Sequence, residues 1–281
     1  MIVPDLRYKK SSTTSIGNRT IYYEFIGPRR ETTLVFVNNF YIVAPMWRNY
    51  VAQVSEEHTC LIYDLENQGA SSLAAEPTID NHSKTLGDLL DTQGVGPVVL
   101  VGTSTSSMIC VRYALQNPSR VRAVILAGPS ITPSNELVRR ATERTLMTSL
   151  RLGGTEALWD HLYSLALSGQ MMKQLGASGY LGLRSAFTAI HRRDPLLANM
   201  SAAHNDRCDF AELAKIDGPV ALILGTSDSL WPPSQVGEIQ PALGGKKVFV
   251  KQLYGAGHLP YMEDPDGFQQ AILTFLGEEG L

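Results

Sequence analysis

Short apolar, β-branched runs alternate with longer helical patterns along most of the chain. The runs Leu34–Val37, Cys60–Tyr63, Val98–Val101, Ala123–Leu126, Val220–Leu224 and Val248–Val250 are almost continuously hydrophobic. Such runs suit strands covered on both faces, and their alternation with helices signals βαβ units and a mainly parallel sheet. Upstream, Thr13–Ile16 and Thr20–Phe25 predict an antiparallel hairpin at the sheet edge, turning across Gly17-Asn18. Together these runs predict an α/β fold with an eight-stranded sheet. The clearest helix is the last, where Phe268, Ala271, Ile272, Phe275 and Leu276 form one buried stripe.

The alternation breaks after Pro129. From about residue 131 to about residue 217 no run reads as a strand. Leu137/Ala141, Leu146/Leu150 and Trp159/Leu162/Ala166 recur at helical spacing instead. The stretch is too long for a loop within a compact domain. The expected organisation is therefore a core of residues 1–130 and 218–281 with a helical insert of residues 131–217.

Composition narrows the function classes. Hydrophobic residues make up 44% of the 281 and charged residues 18%, enough for a large core. The formal net charge of -3 lacks the basic footprint of a nucleic-acid binder, so no nucleic-acid partner is expected. No run approaches the roughly 18 apolar residues of a membrane span, and the polar segment Met1–Lys10 carries no apolar leader run. Cys60, Cys110 and Cys208 are odd in number and unclustered, unlike a disulfide framework or a zinc site, and Cys60 and Cys110 read as buried thiols. The expectation is a cytoplasmic protein without a membrane partner.

The first chemical signal follows Val98–Val101. That strand runs through Gly102 and Thr103 into Ser104, Thr105 and Ser106, and Met108, Val111 and Leu115 then mark one face of a helix. A serine on so sharp a strand-to-helix turn has a strained backbone and needs small neighbours. Its hydroxyl is pushed out at the carboxyl end of the sheet, where open α/β sheets bind ligands.

From this point the chain resembles the α/β-hydrolase superfamily over about residues 20–276, with the helical insert where that family carries its cap. The order nucleophile, acid, histidine is also similar. Val220–Gly225 leads to Asp228, and Gly255-Ala256-Gly257-His258 follows the run at Val248–Val250. The resemblance implies a Ser104, Asp228 and His258 triad. His258 would take the serine proton, and Asp228 would hold the imidazole tautomer. It also implies two backbone donors for a developing oxyanion, Thr105 and Phe40. Two segments depart from the family. Ser106 stands for the usual second glycine, and Asn38-Asn39 replace the usual His-Gly before Phe40. Asn tolerates the left-handed backbone best among non-glycine residues, so Asn39 is expected to keep the turn. Asn38 and Asn39 either add donors to the site or tie down the loop.

The substrate side is read more coarsely. Asn38, Asn39, Trp47, Trp159 and His161 are the candidate substrate-binding residues, with core packing the alternative for Trp47. Met147, Met171, Met172 and Met200 are available to line an apolar pocket. His191-Arg192-Arg193-Asp194 suits either a solvated surface or an anionic tail or acyl carrier. Asp64 reads as a backbone anchor. The expected partner is a small-molecule ester or thioester, handled through an acyl-serine without metal or organic cofactor. An acyltransferase is the alternative, since Val37-Asn38 is similar to a branch that uses acyl thioesters. A lyase or cyclase is a third reading.

Overall fold

The computed structural model describes residues 6–9, 12–131, 136–230 and 236–281. Its centre is an eight-stranded sheet in the order β1-β2-β4-β3-β5-β6-β7-β8. The strands are β1 (Thr13–Ile16), β2 (Arg19–Ile26), β3 (Thr33–Val37), β4 (Thr59–Tyr63), β5 (Val98–Thr103), β6 (Val121–Ala127), β7 (Val220–Gly225) and β8 (Phe249–Leu253). β1 pairs with β2, and β2 with β4, antiparallel, and the other five pairings are parallel. All residues of β3, β4, β5 and β7 are buried.

Period-two alternation sends their side chains into two cores. Val35, Leu61, Leu100, Val124 and Leu222 join one cluster, while Leu34, Ile62, Val99, Ile125 and Ala221 join the other. The helices are α1 (Val54–Glu57), α2 (Ile79–Thr92), α3 (Ser106–Gln116), α4 (Glu136–Ala166), α5 (Gly169–Ile190), α6 (Arg193–Asn205), α7 (Phe210–Leu213), α8 (Val236–Ala242), α9 (Pro260–Glu263) and α10 (Pro265–Glu279). α2 and α3 belong to the first cluster. α10 covers the second with Phe268, Ala271, Ile272, Phe275 and Leu276, the stripe read from the sequence.

Between β6 and β7 the described residues hold α4 to α7 and no strand. Two glycines interrupt these helices, Gly154 (φ 71°) in α4 and Gly176 (φ 58°) in α5. Residues 132–135, at the start of the expected insert, lie outside the described residues. Among the described residues no helix is long and apolar enough to cross a membrane. The three cysteines are buried thiols, and desolvation pushes Cys60 up to about 12.

Candidate active site

β5 delivers Ser104 at the carboxyl end of the sheet. Its φ of 50° lies in the left-handed region, which costs a side-chain-bearing residue energy and is held here by surrounding bonds. The Ser104 N–H donates to Ala127 O at 3.0 Å, and its carbonyl accepts from Ser107 N and Ser130 N, both at 3.1 Å. The turn leaves no room beside it. A Cβ on Gly102 would lie 2.7 Å from Cys110 Sγ and 3.2 Å from Ser107 Cα. Ser106, which departs from the family pattern, fits and adds a brace. Its Oγ accepts from Thr103 N at 2.8 Å and lies 2.9 Å from both the Val37 and Thr103 carbonyls, tying the turn to β3.

The structure brings Ser104, His258 and Asp228 together. His258 Nε2 is 2.8 Å from Ser104 Oγ, and His258 Nδ1 is 2.9 Å from Asp228 Oδ2. With the Nδ1 proton donated to the carboxylate, Nε2 is free to accept the serine proton. Asp228 sits beyond the end of β7, where its Oδ1 also accepts Leu230 N at 2.8 Å. All three residues are at most 5% exposed, so their interactions are shielded from water. Two further residues that carry no sequence signal adjoin the triad. Gly128 (φ 50°) backs the His258 ring so closely that a Cβ there would lie 2.5 Å from His258 O and 3.3 Å from Nδ1. Ser130 Oγ stands 3.4 Å from Ser104 Oγ. Gly128 and Ser130 follow a strand end without any motif, so only the crossover geometry reveals them.

The loop after β3 corrects the reading of its two asparagines. Asn38 and Asn39 are fully buried and spend their amides inside the protein. Asn38 Oδ1 accepts Trp47 Nε1 at 2.8 Å, and its Nδ2 donates to Asp64 Oδ1 and Gln68 Oε1, both at 3.3 Å. Asn39 Oδ1 accepts Tyr41 N at 2.8 Å, and its Nδ2 donates to Thr103 Oγ1 at 3.0 Å and Tyr261 Oη at 3.2 Å. Neither backbone is left-handed, since only Asn67 and Ser104 among described non-glycine residues have positive φ. They tie down the loop, one of the two roles expected of them. Trp47 likewise packs inside, 5.1 Å from the Phe36 ring and 5.0 Å from that of Tyr261. Asp64 anchors backbone as read, accepting Ala44 N at 2.7 Å and Ala70 N at 3.0 Å, and burial raises it to about 6. Among described residues, no protein acceptor takes the N–H of Phe40 or of Thr105.

Two adjoining cavities lie at this end of the sheet, and the smaller one reaches the serine. The smaller, about 170 Å³, is walled by Ser104, Thr105, Ser130 and His258 on the sheet side and by Arg139, Thr142 and Glu143 of α4. Arg139 Nη1 binds Glu143 Oε1 at 2.6 Å, and His204 Nδ1 lies 3.1 Å from Glu143 Oε2. The larger, about 500 Å³, is walled mainly by apolar side chains including Trp159, Phe187, Leu175 and Leu183, and by Gly182. Tyr41, Leu162, Ala166 and Leu259 belong to both walls.

Trp159 is the one expected substrate contact that lines a cavity. His161 is exposed, with Nδ1 2.7 Å from Ser149 Oγ, and belongs to neither wall. None of Met147, Met171, Met172 and Met200 lines either cavity; Met46 and Met262 line the larger one. In the basic segment, His191 is buried, while Arg192, Arg193 and Asp194 are exposed. His191 packs 4.4 Å from the Phe187 ring, with Nε2 3.1 Å from Tyr41 O, and desolvation lowers it to about 4.

The sequence model of the alpha/beta hydrolase fold family matches residues 32–265. The chain belongs to that family. Lipase LipV of Mycobacterium tuberculosis is 36% identical over 94 residues, which is 34% of this chain and only 36% of that lipase. The pimeloyl-[acyl-carrier protein] methyl ester esterase of Nitrosomonas europaea is 26% identical over 247 residues, 84% of this chain and 92% of that enzyme. The enol-lactonase of Burkholderia xenovorans superposes with a TM-score of 0.78 at 22% identity, covering 94% of this chain and 99% of that one. In this α/β-hydrolase fold the strained turn and the histidine loop meet at the carboxyl end of the sheet, where the parallel strands β5, β7 and β8 point.

Proposed function

We propose that this α/β-hydrolase-fold chain is a serine hydrolase that cleaves a carboxylic ester, lactone or thioester of a medium-sized hydrophobic acyl group. The observation that carries this reading is the hydrogen-bonded series Ser104 Oγ, His258 Nε2, His258 Nδ1 and Asp228 Oδ2, at 2.8 and 2.9 Å. In the proposed reaction Ser104 Oγ attacks the carbonyl carbon as its proton passes to Nε2. Asp228 stabilises the imidazolium that forms. The oxyanion is met by the N–H groups of Thr105 and Phe40; a single such donor typically contributes about 2.7–4 kcal/mol to the transition state. The imidazolium returns the proton to the leaving group. Water, deprotonated by the same imidazole, then releases the acid and restores Ser104.

The larger cavity supports the acyl preference, and α4 to α6 act as the cap over it. The names of the esterase and lactonase relatives point the same way. The transferase alternative rests on the likeness of Val37-Asn38 alone, and the Asn38 amide is occupied within the loop. A panel of nitrophenyl esters and acyl thioesters, with and without added alcohols, tests the proposal. Release of free acid that added alcohol does not divert, lost in Ser104→Ala, is expected. An acylated alcohol as the main product would instead make the chain a transferase.

A further inference from the structure

The turn joining α4 to α5 lies directly against the loop that carries His258. The His258 N–H donates to Ala166 O at 2.9 Å, which satisfies a carbonyl at the end of α4. Two residues on, the Ser168 N–H donates to the Glu263 carboxylate, 3.0 Å from Oε1 and 3.3 Å from Oε2. The same carboxylate accepts the N–H of Gly257, the residue before His258. Gly257 is what lets these groups meet. A Cβ there would lie 2.5 Å from Glu263 Oε1, 2.7 Å from Ser168 N and 2.9 Å from Ala166 O. Ser168 is fixed in turn, since its side chain caps α5 by accepting Met171 N at 3.1 Å. Burial holds the Glu263 carboxyl above its ordinary range against the opposing bonds from Ser168 and Gly257, and the charge of Asp228 adds the smallest push, upward.

None of these bonds reaches the reacting atoms. Each holds something that does. We propose that Glu263 is a positioning residue: it clamps the His258 loop to the α4–α5 turn, so the imidazole stays over Ser104 only while the insert is seated. The insert then does more than enclose substrate, because loosening its α4–α5 turn displaces the base. The rate consequence rests on the serine-hydrolase reading, whereas the clamp itself does not.

The test compares Glu263→Ala and Glu263→Gln in the full chain, by backbone hydrogen exchange and by steady-state hydrolysis of p-nitrophenyl butyrate. In Glu263→Ala, exchange at Ser168, Gly257 and His258 is expected to quicken by about tenfold, as for a lost hydrogen bond. kcat should fall by between about tenfold and a hundredfold, the scale of an ångström-sized misplacement. KM should stay within about threefold, because no substrate contact is removed. Glu263→Gln keeps an acceptor oxygen and should recover most of kcat. Unchanged exchange or unchanged kcat in Glu263→Ala would overturn the clamp. If Glu263→Ala does not fold, Glu263→Gln decides, since its neutral acceptor is weaker than a charged one. Faster exchange at Ser168 supports the clamp, and exchange equal to the parent's refutes it. A parent protein that hydrolyses no ester refutes the serine-hydrolase reading and leaves the exchange comparison to judge the clamp alone.

Discussion

Around Ser104 and His258, a Cβ added at Gly102, Gly128 or Gly257 would come within 3 Å of another atom, and at Gly225 it would strike the Gly257 and Ala256 carbonyls. In the insert, a Cβ added at Gly154, Gly169, Gly176 or Gly182 meets nothing within 4 Å, and at Gly153 and Gly179 it comes within 3 Å only of side chains of the same helix, Ala157 and Leu175. The sheet end is packed so that a strained serine and a buried imidazole have one arrangement. The insert is built with space, and it exposes Leu137, Leu152 and Leu181 besides. Chemistry needs atoms held to a fraction of an ångström, while a pocket that sorts substrates can change shape without destroying the reaction. Changes in the first region should therefore act on the rate for every substrate, and changes in the second on which substrate is favoured.

The largest expected break is in the rigid half. Asp228→Asn keeps the shape but reverses the donor and acceptor pattern facing Nδ1. Steady-state kinetics should show kcat lower by about four orders of magnitude for all acyl lengths. A near-normal rate would mean that Asp228 does not orient His258.

Next is Gly182→Phe, in the open half. Gly182 lines the apolar cavity with free space at its Cβ position and without a left-handed backbone. At about 0.8 kcal/mol per buried methylene, excluding three methylenes should lower kcat/KM for an octanoyl ester by roughly 60-fold. An acetyl ester should change little. Equal losses for both esters would contradict the division between the two regions.

The smallest effect concerns His191, which joins the insert to the loop after β3 through the Tyr41 carbonyl. Its folded pKa, about 4, lies below the ordinary histidine value of 6.5. The unfolded chain therefore binds the proton more tightly, and this group's contribution to stability is present above pH 6.5 and lost as pH falls toward 4. His191→Gln can still donate to the Tyr41 carbonyl without titrating. Its melting temperature should drop less between pH 7 and pH 5 than the parent's, and an equal drop would contradict the assignment.

What the sequence revealed follows the same division. The buried strands were legible because covering both faces leaves long apolar runs, and Ser104, Asp228 and His258 because each sits in a short motif at a strand end. Helix spacing marked the insert for the same local reason. The roles of Asn38 and Asn39 were not legible, because their partners Asp64, Thr103 and Tyr261 lie 26, 64 and 222 residues away. His191 reads as surface beside two arginines, and only the fold buries it against Phe187. Gly182, one glycine among several in α5, becomes a cavity wall only when α5 is placed over the sheet end.

The central claim is that the Ser104 hydroxyl is a nucleophile activated by His258. Labelling with a fluorophosphonate, followed by peptide mass spectrometry, tests it most directly. The account predicts one adduct on Ser104, absent in Ser104→Ala and formed far more slowly in His258→Ala. An adduct on another residue, or labelling of Ser104 at an unchanged rate without His258, would contradict it.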